Sequence, residues 1–388
     1  MNIGVFFGGK SPEHDVSIIT GQLIISELKK MGKPFTPIYL GKGGEWYVGE
    51  ELSDLKFFMD KQLEQKLPGL DNYSLNLKES KGRLVFEKKG LLSKKVTVDL
   101  VFPCFHGSNG EDGTMQGLFE ICNVPYVGCD VAASAMAFDK VLTKLLYQSL
   151  SIPTTKFIHF SGQDWANKKD EIISEIKSYL RFPLFVKPPR LGSSIGITRA
   201  KNEKELEFGI EIALHYGEKV LVEEGVENLA DITCCVIGND DLAASLVQES
   251  IFDSELFNFE EKYLKDGGAQ TGNAKDRIII PARIEEETTK EVQEMAKKIY
   301  KSIGASGIAR VDFLFDKKEN KLYANEINPL PGNIYSHLWK ASGLELSALL
   351  EKLLQFATER HTAKNKITYT FKTDLMEFAN SVKLKMKK

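Results

Sequence analysis

The chain has little that would commit it to a membrane, a secretory route or a polyanion. Its five cysteines (Cys104, Cys122, Cys129, Cys234 and Cys235) are odd in number and form no C-x-x-C pair. They offer no disulfide framework and read as small buried residues in a reducing compartment. No apolar run approaches the length of a membrane-spanning helix. The N-terminus Met1-Asn-Ile-Gly-Val-Phe-Phe7 has neither a basic stretch nor a cleavage site, so it reads directly as a first strand. Neither sign of charge dominates: 51 Lys+Arg against 54 Asp+Glu leave a net −3. There is no bulk attraction to nucleic acid or to an anionic membrane. Repeats and low-complexity tracts are absent. So are G-x-x-x-x-G-K-[ST] and G-x-G-x-x-G, which argues against P-loop and dinucleotide-binding enzymes. A length of 388 residues exceeds one simple core, and a cytoplasmic globular enzyme of two or three domains is expected.

What is present begins with an apolar strand at 3–7 that runs into Gly8-Gly9. Ser11-Pro12 then reads as a helix N-cap with proline in the first turn, followed by helical spacing through Ile18, Ile19, Leu23 and Leu28. Strands at 35–40 and 45–48 flank a Gly-rich turn at 41–44. This β–turn–α–β opening predicts an open α/β sheet with ligands at the carboxyl ends of its strands. Residues 50–95 carry no clear pattern. A strand at 96–102 ends in the loop 103–113, whose glycines and polar groups suit a binding loop. Helices are expected at 114–122 and 131–150, the second carrying Lys140, and Pro153 marks a boundary. Strands at 182–187, 197–199, 220–224 and 231–237 follow. The long, partly aromatic stretch 251–272 has the character of a lid, and the basic tail 364–388 that of a peripheral segment.

The chemistry concentrates at Ile308-Ala-Arg-Val-Asp-Phe-Leu-Phe315 and Leu322-Tyr-Ala-Asn-Glu-Ile-Asn328, joined by the polar turn Asp316-Lys-Lys-Glu-Asn320. Alternate residues of a strand share a face, so Arg310 goes with Asp312, and Glu326 with Asn328. One antiparallel register pairs Asp312 with Glu326 and Arg310 with Asn328, about 5 Å apart. Two such carboxylates among apolar residues repel unless a cation lies between them. Oxygen donors without His or Cys suit Mg²⁺ bridging substrate phosphates. The plain alternative, a buried ion pair of Arg310 with one acid, leaves the second acid and the amide unexplained. Gly192-Ser-Ser-Ile-Gly196 lets backbone N–H groups approach an anion. Lys187 closes an apolar strand just before it, and Lys140 offers a second cation; a lysine at such a place either snorkels to solvent or meets an anion.

These motifs, in order, resemble the D-alanine–D-alanine ligases. Gly8-Gly9-Lys-Ser-Pro-Glu13-His-Asp-Val-Ser17, His106-Gly-Ser-Asn-Gly-Glu-Asp-Gly-Thr-Met-Gln-Gly117 and Pro125-Tyr-Val-Gly128 are similar to the family's signatures. So are Asp139-Lys140, Val186-Lys187-Pro with Gly192 to Gly196, Glu260-Glu-Lys-Tyr263, Arg310-Val-Asp312, Glu326-Ile-Asn328 and Pro331-Gly332. The resemblance implies an N-terminal open α/β domain at 1–139, then a two-lobed α+β ATP-grasp fold. Its central lobe, with the phosphate loop, would take 140–220, and its C-terminal lobe, with metal site and lid, 221–388. It implies an ADP-forming reaction for peptidoglycan precursors: a carboxylate attacks the γ-phosphate of ATP, and an amine then displaces phosphate from the acyl phosphate. ATP would be the co-substrate, with two Mg²⁺ held by Asp312, Glu326 and Asn328, and Mn²⁺ able to stand in. Lys140, Lys187, Ser193, Ser194 and Lys262 would hold ATP phosphates, with Glu223, Glu224 and Val226 at the adenine hinge and Asp231 at the ribose. Glu13, Ser193, Tyr263, Arg310 and the backbone N–H of Gly332 would be catalytic, Glu13 binding the ammonium of the first amino acid near His106. A homodimer is a further expectation from the family.

One stretch departs from the pattern. Asn328-Pro-Leu-Pro-Gly-Asn-Ile-Tyr-Ser-His-Leu-Trp339 stands where the family reads about N-T-[MS]-P-G-[FM]-T before an acceptor-binding serine. Ser336, His337 and Leu338 are the expected acceptor contacts. A protonated His337 would replace the serine, and a buried Trp339 would narrow the pocket. Beside the D-alanine–D-alanine ligase stand a ligase of the same chemistry with another amine or hydroxyl acceptor, and a silent nucleotide-binding paralogue. The latter commonly lacks a metal ligand or the arginine, all of which are present here.

Overall fold

The first strands form because short runs of Val, Ile, Phe and Tyr are bounded by glycine and polar turns. The computed structural model describes the chain apart from residues 89, 91–93, 252–276 and 374–388. Ile3–Gly8 (β1), Phe35–Leu40 (β2), Trp46–Val48 (β3), Asn72–Leu75 (β4), Leu84–Lys88 (β5), Lys95–Val98 (β6) and Leu100–Pro103 (β7) make a seven-stranded sheet. Its order is β6-β5-β4-β3-β2-β1-β7, with β1 parallel to β2 and β7 and the remaining pairs antiparallel. The strand expected at 96–102 is therefore two strands, broken at Asp99. The Asp99 carboxylate accepts from Asn2 N at 2.7 Å, and its own N–H donates to Asn2 O at 2.9 Å. Because β6 and β7 are opposite edges joined by one residue, the sheet curls until its edges meet.

A second sheet has four strands, Phe157–Ser161 (β8), Leu184–Lys187 (β9), Thr198–Ala200 (β10) and Lys219–Glu224 (β11), in the order β10-β9-β11-β8. Helices Gly162–Tyr179 and Glu203–Tyr216 bury Trp165, Ile173, Ile176, Leu206 and Ile210 against Leu184, Val186, Val220 and Val222. By strand alternation, Phe185, Lys187, Leu221 and Glu223 face the other way, toward a cleft.

The third sheet closes that cleft with Leu229–Gly238 (β12), Ala243–Ser250 (β13), Ile278–Ile279 (β14), Gly307–Asp316 (β15) and Lys321–Asn328 (β16), ordered β14-β13-β12-β15-β16. One face, with Ile232, Cys234, Val311 and Phe313, packs on helices Val131–Phe138 and Glu286–Ser302. Part of the other face, Cys235, Ile237 and Ile308, joins a core that reaches β1 and the helix Leu346–Lys364. Among the described residues no helix is long and apolar enough to cross a membrane, and all five cysteines are free and buried.

Two expected helices are placed differently. The first begins at His14, after a turn in which Ser11 Oγ accepts from Glu13 N at 3.1 Å. That places Glu13 at the helix N-cap instead of inside the helix. The helix expected over 131–150 is two, Val131–Phe138 and Lys140–Ser149, because Asp139 is extended and its carboxylate caps Val141 N and Leu142 N.

Candidate active site

Strand alternation assembles the site on the open face of the third sheet. As expected, Arg310 pairs with Asn328 and Asp312 with Glu326 across β15 and β16, and a bulge follows at Asp312/Phe313. Beyond them Thr233 lies opposite Asp312, and Gln248 opposite Thr233, so one polar row crosses four strands. Thr233 Oγ1 donates to Asp312 Oδ1 at 2.8 Å. Arg310 clamps both Asp312 oxygens, Nε at 2.9 Å and Nη2 at 2.6 Å. The same guanidinium reaches Glu326 at 3.6 Å and lies 5.1 Å over the Tyr335 ring. The buried ion pair weighed in the sequence is present, but it shares its site with the second acid and the amide.

Across the cleft, the β9–β10 hairpin presents Gly192 to Gly196 with Ser193 and Ser194 at φ 54° and 59°. Lys140 starts its helix and reaches Leu191 O and Glu326 Oε2, both at 3.1 Å. Burial pulls its pKa down, but the Glu326 carboxylate outweighs that and holds it above the ordinary lysine value. Lys140, Lys187, Ser193, Ser194, Glu223, Glu224, Val226, Asp231, Asp312 and Glu326 line one cavity between the second and third sheets. A smaller cavity beside it is lined by Glu13, Glu111, Arg310 and Asn328, and shares Lys140, Ser193 and Glu326 with the first.

Glu13, at the N-cap of the helix His14–Lys30, lines this second cavity. Ser193 Oγ donates to its Oε1. A Cβ on Gly192 would lie 2.5 Å from Glu13 Oε2, and one on Gly107 2.8 Å from it, so the carboxylate is held between two glycine backbones. His106 is buried behind it, bonded to Thr20 Oγ1 at 2.9 Å and Glu111 Oε1 at 3.2 Å. Thr20 Oγ1 accepts from Asn333 N at 3.1 Å, tying the N-terminal helix to the segment after β16. Asn333, Ile334 and Tyr335 there are all left-handed, at φ 49°, 47° and 49°.

Family models described as "D-ala D-ala ligase N-terminus" and "D-ala D-ala ligase C-terminus" match residues 2–129 and 146–355. The D-alanine–D-alanine ligase of Thermosipho melanesiensis is 38% identical over 94% of this chain and 95% of its own. The chain belongs to the D-alanine–D-alanine ligase family. The ligase of Bacillus velezensis is 37% identical over 94% of this chain and all of its own (100%). Among solved structures, the D-alanine–D-alanine ligase of Coxiella burnetii has TM-score 0.76 at 29% identity, covering 94% of this chain and 97% of its own. VanG D-Ala:D-Ser ligase from Enterococcus faecalis has TM-score 0.76 at 33% identity, covering 92% and 99%. The fold is accordingly the ATP-grasp α/β architecture expected of D-alanine–D-alanine ligases.

In this family member the segment after β16 lies partly in the core, through Ile334, Tyr335, Leu338 and Trp339. His337 Nε2 meets Gln248 Oε1 at 2.7 Å, and burial pushes the imidazole down to about 4. Burial therefore disfavours the charged form that a carboxylate contact through His337 would need. Trp339 and the Leu338 side chain pack in the apolar core with Leu349 and Leu350, so the indole does not narrow the cleft. Gly332 opens the short helical turn Gly332–Tyr335 and is itself buried. Lys262 and Tyr263, with the lid expected at 251–272, lie outside the described residues apart from Ile251. Lys144, Thr233 and Gln248 were not foreseen. For Lys144 the available signal was its place one helical turn after Lys140; for the other two there was none without the strand register.

The donor set fits Mg²⁺. Asp312, Glu326 and Asn328 offer only oxygens, and Asn328 Oδ1 spends one lone pair on Leu330 N at 2.8 Å and keeps another. Among the described residues no group of three or more His, Cys, Asp or Glu could hold a metal alone. Two carboxylates and an amide suit an ion that completes its shell with phosphate oxygens and water.

Proposed function

We propose that the chain is an ADP-forming ligase that joins two D-alanines for peptidoglycan precursor synthesis, acting in the cytoplasm. The observation that carries this reading is the meeting of Glu13 and Ser193 at the wall shared by the two cavities. It sets an amino-acid site beside a site built for polyphosphate. We also propose three working units, the expected 1–139, 140–220 and 221–388 with the second boundary moved to about residue 224 so that β11 stays whole in the second.

In this reading ATP lies in the larger cavity. Glu224 and Val226 flank the base, Asp231 takes the ribose, and Lys140, Lys187, Ser193 and Ser194 grip the phosphates. Glu13 holds the ammonium of the first D-alanine, turning its carboxylate toward the γ-phosphate. Phosphoryl transfer needs mainly charge neutralisation and alignment, which these cations supply. Mg²⁺ held by Asp312, Glu326 and Asn328 would add neutralisation of the β- and γ-phosphate oxygens. The second D-alanine's amine attacks the acyl carbon, and Arg310 with the Gly332 N–H stabilises the oxyanion before phosphate departs. Ser336 and the Leu338 backbone face the acceptor end, and Lys262 and Tyr263 close the lid side.

The test is ADP release with D-alanine and other amino acids and hydroxy acids, with products identified by mass spectrometry. D-alanyl-D-alanine as the main product is expected. Release with no D-alanine pair, or preference for D-lactate as acceptor, would refute the proposal.

A further inference from the structure

The helix Lys140–Ser149 carries two lysines one turn apart, and the reaction outlined above uses only the first. Lys144 is sealed from solvent, its side chain 1% exposed. Its Nζ donates to Thr154 Oγ1 at 2.8 Å and Thr155 Oγ1 at 2.9 Å, and meets Glu223 Oε2 at 2.6 Å. An ammonium has three protons, so all are committed. Thr155 Oγ1 donates to the same Glu223 oxygen at 2.8 Å. The other oxygen, Oε1, is taken by Lys187. One buried carboxylate thus stands between two lysines. Of the two, only Lys187 lines the nucleotide cavity.

Two cations and one anion leave a surplus positive charge in a dry place, which is costly until another anion arrives. With Lys187 as its sole partner, Glu223 would form a neutral pair and cancel that lysine's field at the distance of a phosphate. Lys144 takes up the carboxylate from behind, so the surplus emerges at Lys187. Burial pulls Lys144 below its ordinary value and Glu223 offsets part of this, which fits a cation kept charged by its partner.

We propose that Lys144 is a positioning residue that neutralises Glu223 from the closed side and so leaves Lys187 with net positive charge toward the nucleotide phosphates. The proposal rests on the ligase reading only in taking a nucleotide polyphosphate as the anion. Lys144 itself touches no substrate.

The test is calorimetric binding of ADP with magnesium, alongside steady-state KM values. Lys144→Met should weaken ADP by about tenfold to a hundredfold and raise the KM for ATP likewise, leaving the KM for D-alanine within about twofold. The double variant K144M/E223Q removes the carboxylate with its partner and should bind ADP at least about threefold more tightly than Lys144→Met does. A purely structural role predicts the reverse, a double variant no better than the single. If the single variant does not fold, Lys144→Arg, which keeps the charge, supplies the test, and a loss of about tenfold or more in its ADP binding overturns the proposal. Unchanged ADP binding in Lys144→Met also overturns it. A wild-type chain that bound no ADP would overturn the ligase reading as well, which separates the two failures.

Discussion

A single methyl group at Gly192 should disable the amino-acid site more than the nucleotide site, although Gly192 lines both cavities. A Cβ there would stand 2.5 Å from Glu13 Oε2 and 3.1 Å from its Cδ. That is roughly 1 Å inside van der Waals contact. Gly192 φ is not in the left-handed region, so Ala meets no backbone penalty and the effect is purely steric. The carboxylate does not retreat freely, because Ser193 holds Oε1. Overpacking of this kind costs about 1–3 kcal/mol. Displacing a positioning group by about 1 Å costs on the order of a hundredfold in rate. Gly192→Ala should therefore lower kcat/KM for D-alanine by about 10- to 100-fold, with the KM for ATP within about threefold. Coupled ADP-release kinetics, varying each substrate in turn, would show the split. An unchanged kcat/KM for D-alanine would refute the packing argument and, with it, the role of Glu13.

Glu326→Gln keeps the shape but removes the charge facing Lys140 at 3.1 Å and Arg310 at 3.6 Å, and magnesium-dependent ADP release should fall at least about a hundredfold; normal turnover, or wild-type turnover in excess chelator, would count against the metal site. His337 is held near 4 in the folded chain against about 6.5 unfolded, so its contribution is complete above pH 6.5 and fades as pH falls toward 4. Melting of wild type should drop over that window by up to about 3 kcal/mol more than melting of His337→Gln, and parallel curves would refute the assignment. Gly117 lies inside the helix Thr114–Ile121 with open space around its missing Cβ. Gly117→Ala should stabilise by about 0.5–1 kcal/mol without altering kinetics, and a lower melting temperature would show that the helix packs differently.

The catalytic hairpin was legible because two local rules suffice for it. Period-two alternation names which side chains share a face, and a polar five-residue turn fixes which residues oppose. That reasoning reached Arg310, Asp312, Glu326 and Asn328 but not the bulge after Asp312, which shifts Phe313 onto Ala324. Strands β4 and β5 escaped notice because four or five residues mixing Leu and Val with Lys, Glu and Asn carry too little periodicity. The break at Asp139 had a cue, an Asp that can cap the following turn, but it lay inside an otherwise continuous apolar pattern. Lys144 was hidden for a different reason: its partners Thr155 and Glu223 come from separate segments, and only their convergence makes a buried lysine intelligible.

The turn after β16 obeys no local rule at all. Asn333, Ile334 and Tyr335 are consecutive left-handed residues, and for a β-branched residue such as Ile334 that conformation is a true outlier. Each such residue costs about 1–3 kcal/mol unless its surroundings hold it there. The compensation is visible and entirely tertiary. Ile334, Tyr335, Leu338 and Trp339 bury into the core shared with the helix Leu346–Lys364. Thr20, from the first helix, receives the Asn333 N–H. The same turn sets Tyr335 beneath Arg310 and brings His337 onto Gln248, so the strain positions the arginine and the polar row of the third sheet together. Residues more than 300 apart in sequence thus fix the geometry of one turn. Substitution in this segment can reshape the turn while Arg310, Asp312, Glu326 and Asn328 stay in register, because those four are set by the pairing of β15 with β16.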